Sequence, residues 1–228
     1  QYMSRAYFIL DQSVRNLIRE TPFSNAAVIG GDRIDHMIEL GMTVLITDHH
    51  EVPYEETGGE RLYHLPPAAA VIDPKQPGCG YPFSGICGAV VAMKLMQALS
   101  EGTGIGGRAA LDEFLEMAAF ATVGDVMELV DENRILVKYG LEKIRRTENP
   151  GLGALLEVCE LGGKELSAYH IGFVLGPCLN ATGRLDTARR ALALLTARTR
   201  EEALPIAMDL KHLNENRKEM TQQGVEEA

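Results

Sequence analysis

The stretch Met42-Thr43-Val44-Leu45-Ile46-Thr47-Asp48-His49-His50-Glu51-Val52-Pro53 decides how this chain is read. Met42 to Ile46 is an apolar and β-branched run unbroken by charge. Such a run predicts a strand buried on both faces, as in a parallel sheet. An acid and two imidazoles follow at its carboxyl end, where open α/β sheets bind ligands. The trio suits a divalent cation and a phosphate, because a neutral imidazole donates nitrogen to a metal and a neighbouring carboxylate fixes its tautomer. Side chains alternate along a strand, so His49 and His50 are expected to diverge, one serving a metal and the other a substrate. On composition alone the same pair could sit in a solvated loop.

Upstream, Ala26-Ala27-Val28-Ile29-Gly30 reads as a short buried strand, and Asp32 to Leu40 as an amphipathic helix ended by Gly41. With the Met42 strand this makes a β-α-β rhythm, hence an α/β fold with a mostly parallel sheet flanked by helices. Phe8, Ile9, Val14, Leu17 and Ile18 give a helical stripe over 1–20, stopped by Thr21-Pro22. Downstream, Glu51 to Gly59 reads as a polar loop and Ala68 to Ile72 as a second apolar run broken by Asp73-Pro74-Lys75. Helices are expected from about Ser84 or Gly88 to Leu99, Leu111 to Ala121, Leu136 to Arg145, Ala154 to Leu161, Ser167 to near Gly176-Pro177, Thr187 to Leu195, and in a long run from Glu201 to about Glu227. Gly102 to Gly107 is glycine-rich, but no Gly-Lys-Ser/Thr follows, so it is not a phosphate-binding P-loop.

The 228 residues suffice for one large domain or two small ones. A 46% hydrophobic and 24% charged composition is that of a soluble globular protein. No apolar run approaches a membrane span, and no basic-then-apolar leader opens the chain, so a cytoplasmic protein without membrane association is expected. Cys79, Cys87, Cys159 and Cys178 form no Cys-x-x-Cys pair and read as free thiols. The net charge of −10 argues against a generally basic nucleic-acid-binding surface while leaving room for a local groove.

Several motifs then occur in one order. After Asp48-His49-His50 come Pro66-Pro67-Ala68-Ala69-Ala70-Val71-Ile72-Asp73-Pro74-Lys75 and Cys87-Gly88-Ala89-Val90-Val91-Ala92-Met93-Lys94-Leu95. Ala121-Thr122-Val123-Gly124-Asp125 and Gly176-Pro177-Cys178-Leu179-Asn180-Ala181-Thr182-Gly183-Arg184 follow. From Asp32 onward the chain resembles the DHH phosphoesterase family, and within it the RecJ-type branch. The resemblance implies a 5′-to-3′ single-stranded-DNA exonuclease of repair and recombination. It would hydrolyse phosphodiesters with two Mn²⁺ or Mg²⁺ ions and work beside repair-protein partners. It implies His49 and Asp125 as metal ligands, Asp48 as support for the metal site, and His50 as the phosphate contact. Asn180 would shape the loop that aims Arg184 at the scissile phosphate. Two cations and a guanidinium suit that reaction, since both neutralise charge building on phosphate oxygens.

The residues also have plainer readings. Asp125 could cap a helix, and Arg184 could pair at the surface. His170 reads as a core histidine, and His36, His64 and His212 carry no signal. Asp32 and Asp35 would share a solvent-facing helix side. The family's two aspartate motifs before Asp-His-His are not found. Their place suggests a missing segment between residues 30 and 31. The resemblance divides the chain into a catalytic domain over 1–198 and a long connecting helix over 199–228, leading to a second lobe not present in the sequence. Two other functions remain open: a DHH phosphodiesterase acting on oligoribonucleotides or cyclic dinucleotides, and a catalytically silent nucleic-acid-binding domain.

Overall fold

Gly31–Glu39 forms helix α1, whose buried Ile34 and half-buried Met37 face the strand that follows. Gly41, at φ +79°, turns the chain out of the helix, and its N–H bonds to the Ile38 carbonyl at 2.8 Å. The computed structural model describes residues 7–8, 31–103, 107–180 and 185–226. The strand expected at Ala26 to Gly30 lies outside them, as does Gly30 of the 30–31 junction. The contacts divide the chain into two compact units, Gln1–Phe114 with Met127–Arg134, and Leu115–Val126 with Ile135–Ala228.

In the first unit, β2 (Leu45–Thr47) is the central strand of three. It runs parallel to β5 (Ala70–Ile72), pairing Leu45 with Ala70, Ile46 with Val71 and Thr47 with Ile72. Val44 and Ile46 are buried with Ile34 in a small core. Leu45 is only half-buried, short of the full burial that the apolar run implied. On the other side of β2, Tyr7–Phe8 forms β1, antiparallel to it. That strand corrects the expected helix at Tyr7 and Phe8, and the rest of 1–20 lies outside the described residues. An aromatic pair suits a pleated surface, and pairing with β2 outweighs the local helical stripe.

The polar loop expected after His50 is a hairpin, β3 (Tyr54–Thr57) and β4 (Glu60–Tyr63), exposed throughout. Gly58 and Gly59, both at positive φ, supply the two-residue turn. Tyr54 pairs across the strands with Tyr63, and the Arg61 guanidinium lies 4.4 Å from the Tyr54 ring centre. Helix α2 (Gly88–Thr103) buries Val90, Val91 and Met93. Glu132 accepts hydrogen bonds from Tyr81 and from Lys94, the latter at 2.5 Å, and so fastens the 127–134 segment within the same unit.

Helices α3 (Gly107–Gly124) and α4 (Asp131–Ile144) cross the division between the units. The second unit is otherwise helical. Helix α5 (Pro150–Val158) begins earlier than expected. Asn149 caps it, accepting from Leu152 N–H at 3.0 Å, with Pro150 in the first turn. Asn149 also donates to the Leu195 carbonyl at 3.0 Å, tying α5 to the end of α7 (Leu185–Leu195). A Cβ on Gly151 would stand 1.9 Å from the Leu194 oxygen, so the helix approaches there only because residue 151 is glycine. A π-helical stretch, His170–Leu175, leads into the short α6 (Gly176–Leu179). The long α8 (Arg200–Glu226) buries Ala203, Ala207 and Leu210 with Leu152, Leu155, Ile171, Leu175 and Leu194.

Candidate active site

β2 ends at Thr47, and Asp48-His49-His50 continue from its carboxyl end, as the sequence predicts. The Asp48 N–H still bonds to the Ile72 carbonyl at 3.0 Å, which extends the parallel ladder by one residue. Asp48 then organises the turn. Its Oδ1 accepts from the His49 N–H at 2.8 Å, the His50 N–H at 3.3 Å and the His50 ring Nδ1 at 2.6 Å. The last contact fixes the tautomer, because a carboxylate oxygen only accepts and Nδ1 must carry the proton. His49 is buried and His50 half-exposed, with ring centres 4.4 Å apart and planes tilted by 50°. The two imidazoles differ in environment, but the strand ends at Thr47 and their rings lie side by side instead of diverging as alternation along a strand implied.

The register adds Asp73, which the sequence places at the break after an apolar run and inside one of the ordered motifs, with no role of its own. Thr47 pairs with Ile72, so the next positions along the parallel strands are Asp48 and Asp73. Asp73 is 4% exposed, and its Oδ1 accepts from the Lys75 N–H at 2.9 Å. Burial pushes its carboxyl pKa up, the Lys75 N–H opposes that shift, and the charge of Asp48 adds to it. Two carboxylates therefore meet at one strand end, where Lys75 also pairs with Glu51 at 3.0 Å. Carboxylate oxygen and imidazole nitrogen are donors of the kind that Mn²⁺ accepts. Among the described residues, however, no three His, Cys, Asp or Glu side chains lie together to hold an ion. The strand end fits such a cation in kind and is short in number.

In the second unit, Asp125 follows the end of α3, its N–H bonded to the Ala121 carbonyl at 2.8 Å. Val126 turns the chain at φ +57° and is 88% exposed. Asp125 therefore sits at a helix C-terminus and does not cap the N-terminus of α4. A carboxylate is unfavourable there, against the negative end of the helix dipole. A Cβ on Gly172 would meet Val123 at 3.8 Å, so the π-helical stretch runs beside the Val123-Gly124-Asp125 motif. Tyr169, just before that stretch, and Phe173 within it are exposed and stacked, with ring centres 5.0 Å apart. The stretch's His170 is satisfied locally, Nδ1 accepting from the Ser167 N–H at 3.0 Å. Asn180 ends α6, its N–H bonded to the Gly176 carbonyl at 2.9 Å. Residues 181–184, Arg184 among them, lie outside the described residues.

Residues 22–122 match the family described as DHH family, N-terminal domain. Those residues are a DHH-family domain. Asp48, His49, His50 and Asp73 fall inside the match, while Asp125, Asn180 and Arg184 lie beyond it. The chain is 40% identical over 190 residues to the single-stranded-DNA-specific exonuclease RecJ of Bacillus subtilis, which covers 83% of this chain and 22% of that protein. It is 38% identical over 200 residues to the RecJ of Escherichia coli, covering 83% and 33%. The chain thus spans about a fifth to a third of the length of these curated relatives. RecJ of Thermus thermophilus, solved in complex with Mn²⁺, superposes with a TM-score of 0.69 at 30% identity, over 88% of this chain and 28% of that one. An exonuclease RecJ bound to manganese superposes with a TM-score of 0.70 at 30% identity, over 87% and 47%. The DHH-family domain therefore accounts for the α/β fold and for the Asp-His-His strand end together.

Proposed function

We propose that this chain is the catalytic portion of a metal-dependent 5′-to-3′ single-stranded-DNA exonuclease, acting in the cytoplasm in DNA repair and recombination beside repair-protein partners. The observation that carries the reading is Asp48, whose one carboxylate oxygen gathers both histidine N–H groups and the His50 ring at the end of an interior strand. Relatives that share this sequence are single-stranded-DNA-specific exonucleases, and solved ones hold manganese. Residues 1–198 form the catalytic domain in this reading, and 199–228 connect it to a further lobe.

His49 and Asp125 are the proposed metal ligands. Two Mn²⁺ or Mg²⁺ ions, when bound, would supply Lewis acidity and lower the pKa of a bound water. The chain's own residues bind and orient. Asp48 holds the His50 ring by Nδ1 and so fixes its orientation at the strand end for contact with the substrate phosphate. Asn180 shapes the loop that carries Arg184, whose planar guanidinium contacts two phosphate oxygens at once. The exposed Tyr169–Phe173 stack offers a face on which successive bases of a single strand can lie.

The test is single-turnover hydrolysis of 5′-phosphorylated single-stranded DNA with Mn²⁺ in the full-length enzyme. Stepwise release of nucleotides from the 5′ end is expected. Arg184→Lys should keep DNA binding and lower the turnover by roughly 10²–10³, the usual loss when one transition-state contact is removed. Cleavage confined to oligoribonucleotides or cyclic dinucleotides would replace the substrate, and no cleavage by any metal-loaded form would leave a binding domain. Unchanged turnover in Arg184→Lys would remove Arg184 from the site.

A further inference from the structure

The second unit holds a pair of thiols that the hydrolytic reading does not use. Cys159 ends α5, with its N–H on the Leu155 carbonyl at 3.1 Å, and is half-buried. Cys178 lies in α6 and is 2% exposed. They are 19 residues apart in sequence, yet their Sγ atoms stand 4.0 Å apart. Cys178 is held from two further sides. Its Sγ–H donates to the Val174 carbonyl at 3.3 Å, and Asn214 of α8 donates to its sulfur at 3.7 Å. Lys211 anchors the facing end of α5 through the Val158 carbonyl at 2.8 Å. The pair therefore sits at a junction of α5, α6 and α8, with Cys178 two residues before Asn180.

We propose that Cys159 and Cys178 form a reversible intramolecular disulfide site, oxidised by a peroxide, whose closure moves α6 and with it Asn180. The inference about the disulfide stands on the thiol geometry; only its effect on catalysis rests on the proposed nuclease function. The hydrogen bond from Cys159, aided by Lys218 and Asn214, draws the Cys178 pKa down to about 7 against the opposing effect of burial. Cys178 is then the nucleophile, since the thiolate is the reactive form. Its sulfur attacks one peroxide oxygen, the O–O bond breaks, and the departing hydroxide takes a proton to become water. The sulfenic acid left on Cys178 is attacked by the Cys159 sulfur. The S–O bond breaks, and the second hydroxide leaves as water with the Cys159 proton. Two thiols and one peroxide yield a disulfide and two waters, with two electrons passing to the peroxide.

Bonded sulfurs stand about 2.05 Å apart, so closure from 4.0 Å draws the end of α5 and α6 together. It also removes the S–H donor to Val174 and strains the Asn214 contact. The short α6 has one turn to absorb the shift, and Asn180 is its cap.

The experiment treats the full chain, carrying Cys79→Ser to remove the exposed thiol, with hydrogen peroxide. Intact mass and non-reducing peptide maps are the readouts. The expected result is loss of two hydrogens, a linked peptide pair containing residues 159 and 178, and full reversal by a dithiol. In a Cys159→Ala variant the reaction should stop at a Cys178 sulfenic acid that dimedone traps. Tryptic cleavage after Arg184 should change in rate on oxidation and return on reduction. Thiols that stay reduced, or that reach sulfinic acid without the link, would overturn the site. A link that leaves cleavage after Arg184 unaltered would overturn its coupling to Asn180. Neither readout depends on DNA hydrolysis, so a failure of the nuclease reading would show separately.

Discussion

The second unit buries Leu152, Leu155, Ile171, Leu175, Leu194 and Leu210 against one another, whereas the strand end of the first buries Thr47, His49 and Asp73. The first set gains stability in proportion to the apolar area it removes from water. The second sets the Asp73 carboxyl in a place that disfavours its charge, and burial pushes its pKa up. Burial in the helical unit packs apolar side chains, and burial at the strand end gathers titratable ones. Titratable groups with perturbed environments gather where a site is built.

The strongest way to break that contrast is Leu155→Ala. Leu155 is fully buried in the helical core, and its truncation should remove about 2–5 kcal/mol of stability. Urea unfolding, with hydrogen exchange resolved over α5, would measure the loss. Mn²⁺ affinity at low urea should not move, and an equal loss of metal binding would erase the distinction between the two regions. Asp48→Asn is expected to do the reverse. The amide keeps an acceptor for the backbone N–H groups but loses the charge that holds the His50 ring. Metal affinity should fall about 10–100-fold, the usual range for a carboxylate supporting a ligand set. Calorimetry of Mn²⁺ binding would read it, with the unfolding midpoint of the helical unit unchanged. Unaltered affinity would reduce Asp48 to a turn residue.

Asp73→Asn should have the smallest effect, and its sign is informative. Burial raises the folded pKa of this carboxyl above its unfolded value, which is about 3.9. Its favourable contribution is therefore present below the unfolded pKa and lost as pH rises through the folded one. In metal-free protein the stability of the variant relative to the parent should rise as pH climbs from about 4. Urea midpoints across that pH series would show the trend. A variant that falls further behind with rising pH would mean that the Lys75 N–H outweighs burial.

How much of this was legible follows from which residues act locally. The strand was readable because an unbroken apolar run has few other homes, although it spans Leu45–Thr47 instead of Met42 to Ile46, and Asp48-His49-His50 was readable because the three are contiguous. The hairpin was partly readable: Gly58-Gly59 marks a two-residue turn. Its strands, exposed on both faces, lack the alternation that identifies a half-buried strand. Helix α5 was read short because Gly151 looks like a breaker in isolation, while its role is to let the Leu194 carbonyl approach.

The sequence by itself determined the α/β class, the interior strand and the acid-imidazole trio at its end, since each depends on neighbours along the chain and on the pleat of a strand. Tertiary structure alone decided that Asp73 joins Asp48, because a parallel register is set by the hydrogen bonds between two strands that lie far apart in sequence. It alone decided that Tyr7–Phe8 pairs with β2 instead of continuing a helix, and that Cys159 meets Cys178. Such pairings are free-energy differences between whole packings, and no local pattern of residue types carries them.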